Sequence, residues 1–357
     1  MARSGDAAVL DSLRTPAVAP RSGHWSWPQY LALIGVPVLF WEAWTIVAWA
    51  TGHPHEVTQF QTSGSTDWIA AHILEGLSVA VAIPVMIHVG REVIQERRLT
   101  FDAMFCIAAA TMCWSDVGVN FFEPTFLFSS NFVNLNNMCG HMPLVVNPDC
   151  GRVPDPFLFL FPLEAFGLLG IAIVAERPIR WVRTRWPGIS TAKLLLLLVL
   201  SGLVIDLALE PVCISLGLWS YTAPSWLSLN VGTGLRFAYP EALAGALFFS
   251  LPAAVRVFRD DSGRTLVERN LEHYSPRRQR VIIFLALYAV MQFIVWIPAS
   301  VPDFAYGPYQ SAWPKIPAYL LNDVCNAPGV TGTRYGTCPG DPGFRLPGRH
   351  SLPGHSP

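Results

Sequence analysis

The chain has 357 residues, 52% of them hydrophobic and only 14% charged, with 13 Trp and a mean hydropathy of +0.38. Soluble domains carry about 25% charged residues, so this composition excludes an ordinary soluble protein and points to a membrane chain. A formal net charge of -1 leaves no basic excess for nucleic acid.

Residues 1–29 are polar and Pro-rich, with Arg3, Arg14 and Arg21 but no apolar stretch ending in a small-residue cleavage site. They read as a flexible tail rather than a signal peptide. Seven segments then meet the length of about 20 apolar residues that a spanning helix needs: 30–50, 68–90, 102–121, 157–175, 194–216, 238–258 and 280–300. The connections alternate in charge. Loops 91–101, 176–193 and 259–279 carry most of the Arg, whereas 51–67, 122–156 and 217–237 carry between them only Arg152 and Arg236. The positive-inside rule places the N-terminus in the cytoplasm and, with seven crossings, the C-terminus outside. The expected fold is an all-α, seven-helix bundle of the plasma (inner) membrane over 30–300, followed by a Pro/Gly-rich outer tail over 301–357. Cys139, Cys150, Cys325 and Cys338 fall on the outer side and are candidates for two disulfides in an oxidising compartment, with three connectivities open.

Acids inside a bilayer are costly and usually functional. Glu42 lies past the middle of the first segment. Glu75 is about two turns into the second, with His72 one turn above it. Asp116 and Asn120 near the end of the third precede Glu123, and Glu164 is one or two turns into the fourth. Asp206 and Glu210 are four residues apart and share one face of the fifth segment, and Glu241 opens the sixth. In this reading no segment places an acid clearly in its cytoplasmic half, so the acids outline a polar pocket in the outer half. Other roles fit some of them. Glu241 after Pro240 makes a favourable helix start, as does Glu164 after Pro162. Glu123 and Glu210 each precede a Pro, which biases them out of the helix and marks helix breaks beside the pocket. Arg236 pairs with an acid or anchors at the interface, and the Trp and Tyr of 219–226 line the pocket or form an aromatic belt.

Buried carboxyl groups that crowd one another do not all ionise, so one acts as proton donor and a neighbour as base or cation stabiliser. That chemistry suits dehydration, cyclisation or isomerisation of an apolar molecule, and equally a proton relay. The last segment has no Lys for a retinal Schiff base, and neither GxSxG nor a phosphate-binding loop is present. His53, His55, His72 and Glu75 make no HxxxH or HExxH pair, so no metal is expected.

The NFFEP of 120–124, the LEP of 209–211, the GLWSYTAPSWLSLNVG of 217–232 and the YPE of 239–241 resemble the AveC-type spirocyclase family of actinobacterial membrane proteins. The resemblance runs from about residue 30 to 320. It implies a cyclodehydration that forms a spiroketal in a polyketide from a dihydroxy-ketone, or a dehydration, with no organic cofactor. The depth argument assigns acid–base chemistry to Asp206 and Glu210 first, then Glu75, Glu164 and Glu241. Arg236, Tyr239, Trp219, Tyr221, His72, Asp116 and Asn120 are expected to bind substrate. The expected partners are membrane lipids and an apolar, oxygenated small molecule. A proton-coupled transporter and a non-catalytic membrane assembly protein are the alternative classes.

Overall fold

The computed structural model describes residues 25–52, 63–122, 125–135, 137–145, 150–306 and 316–321. Among the described residues the chain is mostly helical, and six helices are long and apolar enough to cross a membrane. They are α1 (Trp27–Thr51), α2 (Thr66–Glu96), α5 (Phe157–Arg185), α6 (Thr191–Ser215), α7 (Tyr239–Val257) and α8 (Pro276–Tyr306). The third expected segment is built differently. Its first helix, α3 (Phe101–Ala110), has 10 residues, about 15 Å, half of a hydrocarbon core. The chain turns at Thr111 and continues through α4 (Cys113–Asp116) and a 3-10 turn, Val117–Asn120. The protein is therefore a multi-pass membrane protein with, among the described residues, six long helices and one broken segment.

Local chemistry sets the helix ends. Ser65, Thr100 and Ser190 accept hydrogen bonds from Trp68, Ala103 and Lys193 backbone N–H groups, which caps α2, α3 and α6. The apolar outer faces of α1 and α6 are broadly exposed, as expected of lipid-facing surfaces, while the core lies among α2, α3, α5 and α8.

Two small sheets stand at the end of the bundle opposite the Arg-rich loops. β1 (Phe126–Phe128) pairs antiparallel with β2 (Trp219–Tyr221), in register Phe126↔Tyr221 and Phe128↔Trp219. β3 (Ser228–Gly232) and β4 (Leu235–Ala238) form a hairpin, tied to β2 where Arg236 N–H donates to Ser220 Oγ at 3.0 Å. Both sheets lie in stretches that read as loops in sequence, because strands of three to five residues carry no periodicity to detect. Gly217, at φ +75°, turns α6 into β2 in a backbone region that only glycine enters without strain. At the same end Cys139 and Cys150 form a disulfide with Cα atoms 5.4 Å apart. Cys325 and Cys338 lie outside the described residues.

The Arg-rich end corrects one expectation. Asp102, in the first turn of α3, is buried there and accepts two hydrogen bonds from Arg256 of α7, both 2.9 Å. Arg256 also donates to Glu176 of α5 at 3.0 Å. Buried acids are thus not confined to one half of the bundle. The reason is a cation on a third helix, 154 residues away in sequence, which segment-by-segment hydropathy does not reveal. Removing one member of a buried pair leaves the other uncompensated, at a cost of about 3–5 kcal/mol. Arg256→Leu is expected to lower unfolding stability in lipid by that order, and Asp102→Leu added to it is expected to restore most of the loss.

Candidate functional site

Asp206 and Glu210 lie on the inner face of α6, which packs on α7. Small residues allow the approach. A Cβ at Gly202 would fall 2.6 Å from Ser250 Oγ, and Ser250 itself donates to the Leu198 carbonyl at 3.0 Å. One turn on, Gly245 faces Asp206 so closely that a Cβ there would overlap the carboxylate. Asp206 is 7% exposed, and its Oδ2 has no hydrogen-bond partner. Its other neighbour is the Glu210 carboxyl, with which it interacts directly.

The Glu210 Oε1 accepts two hydrogen bonds from β2, one from Trp219 Nε1 at 3.1 Å and a short one from the Tyr221 hydroxyl. The expectation that Pro211 ends the helix at Glu210 is corrected here. α6 runs through Pro211 to Ser215, so Pro removes one internal hydrogen bond and Glu210 stays on the helical face. Trp219 and Tyr221 are buried, which removes the aromatic-belt role for both. Trp226, 60% exposed, keeps it.

Strand register decides what surrounds this pair. Phe126 stacks on Tyr221 (centroids 4.8 Å, 15°) because they are cross-strand partners. Trp219 stacks on Phe159 of α5 (5.8 Å, 11°), and Phe159 stacks on Phe132 (5.7 Å, 14°). The next residue, Val133, donates its N–H to Glu75 Oε1 at 2.6 Å, while Glu75 Oε2 lies 2.7 Å from His72 Nδ1. One aromatic layer, Tyr221–Phe126 and Trp219–Phe159–Phe132, therefore joins the Asp206–Glu210 pair to the Glu75–His72 pair. Sequence reading missed Phe126, Phe132 and Phe159, since a Phe in an apolar run carries no signal of its own.

The remaining expected residues are placed as follows. Glu164 is fully buried in a π turn, Leu163–Gly167, inside α5. Because α5 begins at Phe157, Glu164 is not a helix-start residue, and π turns often mark functional positions. Glu241 is the third residue of α7, after Tyr239 and Pro240, and its charge acts on Tyr221. Tyr239 is half exposed. Arg236 Nη1 donates to the Ala223 carbonyl at 2.5 Å, and burial lowers the guanidinium pKa. The Asn120 amide holds the turn into β1, accepting from Thr125 and Phe126 N–H and donating to the Phe126 carbonyl. Asp116 closes α4. Glu123, His53 and His55 lie outside the described residues.

His88, Glu92 and Asp102 bring ligand atoms within 4.8 Å of one another. Arg256 already engages both Asp102 oxygens, so this cluster belongs to the ion-pair network rather than to a metal.

Residues 96–309 match the family described as spirocyclase, AveC-like. The matched stretch contains Asp206, Glu210, Glu164, Glu241, Trp219 and Tyr221, but not His72 or Glu75. No curated protein and no solved structure matches.

Burial, then the Glu210 charge, hold the Tyr221 phenol well above its ordinary pKa of 10.0. As pH rises the unfolded phenol ionises first. The folded state therefore retains the extra proton, and the stability Tyr221 contributes is complete below pH 10.0 and declines above it. Above that pH, the Tm of Tyr221→Phe is expected to fall less steeply than that of the wild type; parallel curves would contradict this assignment.

Proposed function

Because the chain belongs to the AveC-like spirocyclase family over residues 96–309, we propose that it is a membrane-embedded cyclodehydratase acting on an apolar, oxygenated polyketide- or lipid-like dihydroxy-ketone. The observation that carries this reading is the Asp206–Glu210 pair. One carboxyl oxygen has no partner in the protein, the other group is held by two donors, and both sit beside an aromatic layer.

In this reading a substrate hydroxyl adds to the ketone and gives a hemiketal. Asp206, as the acid, transfers its proton to the hemiketal hydroxyl; the C–O bond breaks and water leaves with the bonding pair. Glu210, oriented by Trp219 and Tyr221, is the carboxylate that stabilises the resulting oxocarbenium ion. The aromatic faces add cation–π attraction in a site of low dielectric. The second hydroxyl attacks the cationic carbon, and its proton returns to Asp206. The balance is the loss of one water, and no redox change occurs. Gly245 keeps the space in which the Asp206 carboxyl moves. Glu75, His72, Glu164 and Glu241 are assigned to binding and orienting the oxygenated chain, together with Arg236 and Tyr239.

A proton-coupled carrier is the second reading, favoured by the additional titratable groups at the Arg-rich end, Asp102, Glu176 and His88. Those acids are neutralised internally by Arg256, which makes them a clamp more than a path.

Asp206→Asn and Glu210→Gln are each expected to lower turnover of a dihydroxy-ketone by about 10²–10⁴-fold, the range for loss of a general acid or base. Mass spectrometry of the dehydrated product measures this, with circular dichroism showing that the fold is kept. Near-normal turnover by both variants would overturn the assignment. Gly245→Val, which pushes a side chain into the carboxylate, is expected to match Asp206→Asn in loss of activity.

A further inference from the structure

Glu42 has no part in the site above. On α1, Val38, Trp41, Glu42 and Thr45 recur at i, i+3, i+4 and i+7. On α8, Tyr288, Gln292 and Trp296 recur at i, i+4 and i+8. The two stripes pack together, and Trp114 and Phe121 close a third side. Trp41 stacks on Trp296 (5.4 Å, 19°) and meets Trp114 edge-on at 5.6 Å. The backbones approach closely: a Cβ at Gly35 would fall 2.6 Å from the Leu285 carbonyl oxygen, and one at Gly118 would fall 2.6 Å from the Trp296 ring.

Part of the polar inventory of this cluster is satisfied. Trp114 Nε1 donates to Gln292 Oε1 at 2.9 Å, and Gln292 Nε2 donates to Thr111 Oγ1 at 3.0 Å. Four atoms are not satisfied: Glu42 Oε2, the Tyr288 hydroxyl, Trp41 Nε1 and Trp296 Nε1 have no hydrogen-bond partner. Glu42 is 5% exposed, and the fully buried Tyr288 places its hydroxyl against it. Among the described residues no basic side chain forms an ion pair with Glu42. Buried polar groups are almost always hydrogen-bonded, and hydrocarbon offers nothing in place of a missing partner. Two indole N–H groups, a phenol hydroxyl and a carboxyl oxygen thus face one cluster without partners. A hydroxyl, which both donates and accepts, meets both kinds of group. Cys139, Met142 and Cys150 pack on Trp114 and Phe121 at the edge of the cluster.

We propose that Glu42, Tyr288 and the indole N–H groups of Trp41 and Trp296 form a second, buried binding site, bordered by Cys139, Met142 and Cys150, for a neutral oxygen ligand: water or a small hydroxyl-bearing molecule. The site is independent of the cyclodehydratase reading. The test is a high-resolution structure of the full chain in lipid nanodiscs. Density within hydrogen-bond distance of Glu42 Oε2 and one indole N–H is expected; a round peak identifies water, and an elongated one a larger alcohol. Absence of density, with these atoms pairing among themselves, would overturn the site. Glu42→Leu separates an occupied site from a dry one. Occupied, its loss lowers Tm by about 2 °C or more; dry, the apolar replacement raises Tm and refutes the proposal. Glu42→Gln keeps the shape and a polar end, so it is expected to retain the density, and it supplies a folded comparison if the Leu variant fails to fold.

Discussion

Inside hydrocarbon no water replaces a missing hydrogen-bond partner, so every buried charge in this protein must be met by the protein itself or by something it binds. The arrangement of the bundle follows from that constraint. Asp102 is met by Arg256 and through it by Glu176, which ties α3, α5 and α7 together at the Arg-rich end. Glu75 is met by a backbone N–H from the loop after β1. Glu210 is met by two side chains of β2. In the last two cases a partner comes from outside the long helices, although Glu75 also meets His72 on its own helix. The strand β2 and the loop after β1 thus help to make acids tolerable at that end.

The two small sheets set side-chain positions that helices alone would not. The register Phe126↔Tyr221 and Phe128↔Trp219 places Tyr221 and Trp219 on Glu210, and it lines up their rings with Phe126 and Phe159. The resulting layer is apolar on its faces and polar at its rim. Asn120, Ser220 and Arg236 serve this layer through the backbone, holding β1, β2 and β4 in their relative places.

Much of the helical framework was legible in the sequence, because a run of about 20 apolar residues has one reading in a membrane. The expected edges of the first, fifth, sixth and seventh segments lie within a few residues of α1, α6, α7 and α8. The third segment was not legible as a broken one: Thr111 and Met112 interrupt it without any Gly or Pro to announce the turn. Rotation about each helix axis was equally hidden, since a lipid-facing and a core-facing side are both apolar. Asp206 and Glu210 escaped that difficulty, being one turn apart on the same face whatever the rotation. The Arg256 partner of Asp102, the Val133 N–H on Glu75 and the Tyr288 neighbour of Glu42 did not, because each lies on another element. The resemblance legible in the sequence rested on NFFEP at 120–124, LEP at 209–211, the 217–232 loop and the YPE that opens α7, all within the matched 96–309.

The pairing of β1 with β2 has a consequence for how the protein is made. β1 precedes α5 in the chain, and β2 follows α6. Two membrane helices must therefore be threaded into the bilayer between synthesis of the first strand and arrival of the second. Until then Glu210 is already in the membrane without Trp219 and Tyr221, and the aromatic layer lacks one wall. The setting of the acid pair is thus completed only once β2 docks, so a chain cut just past α6 keeps Asp206 and Glu210 but lacks the indole and phenol that meet Glu210, and the α7 face against which the pair packs.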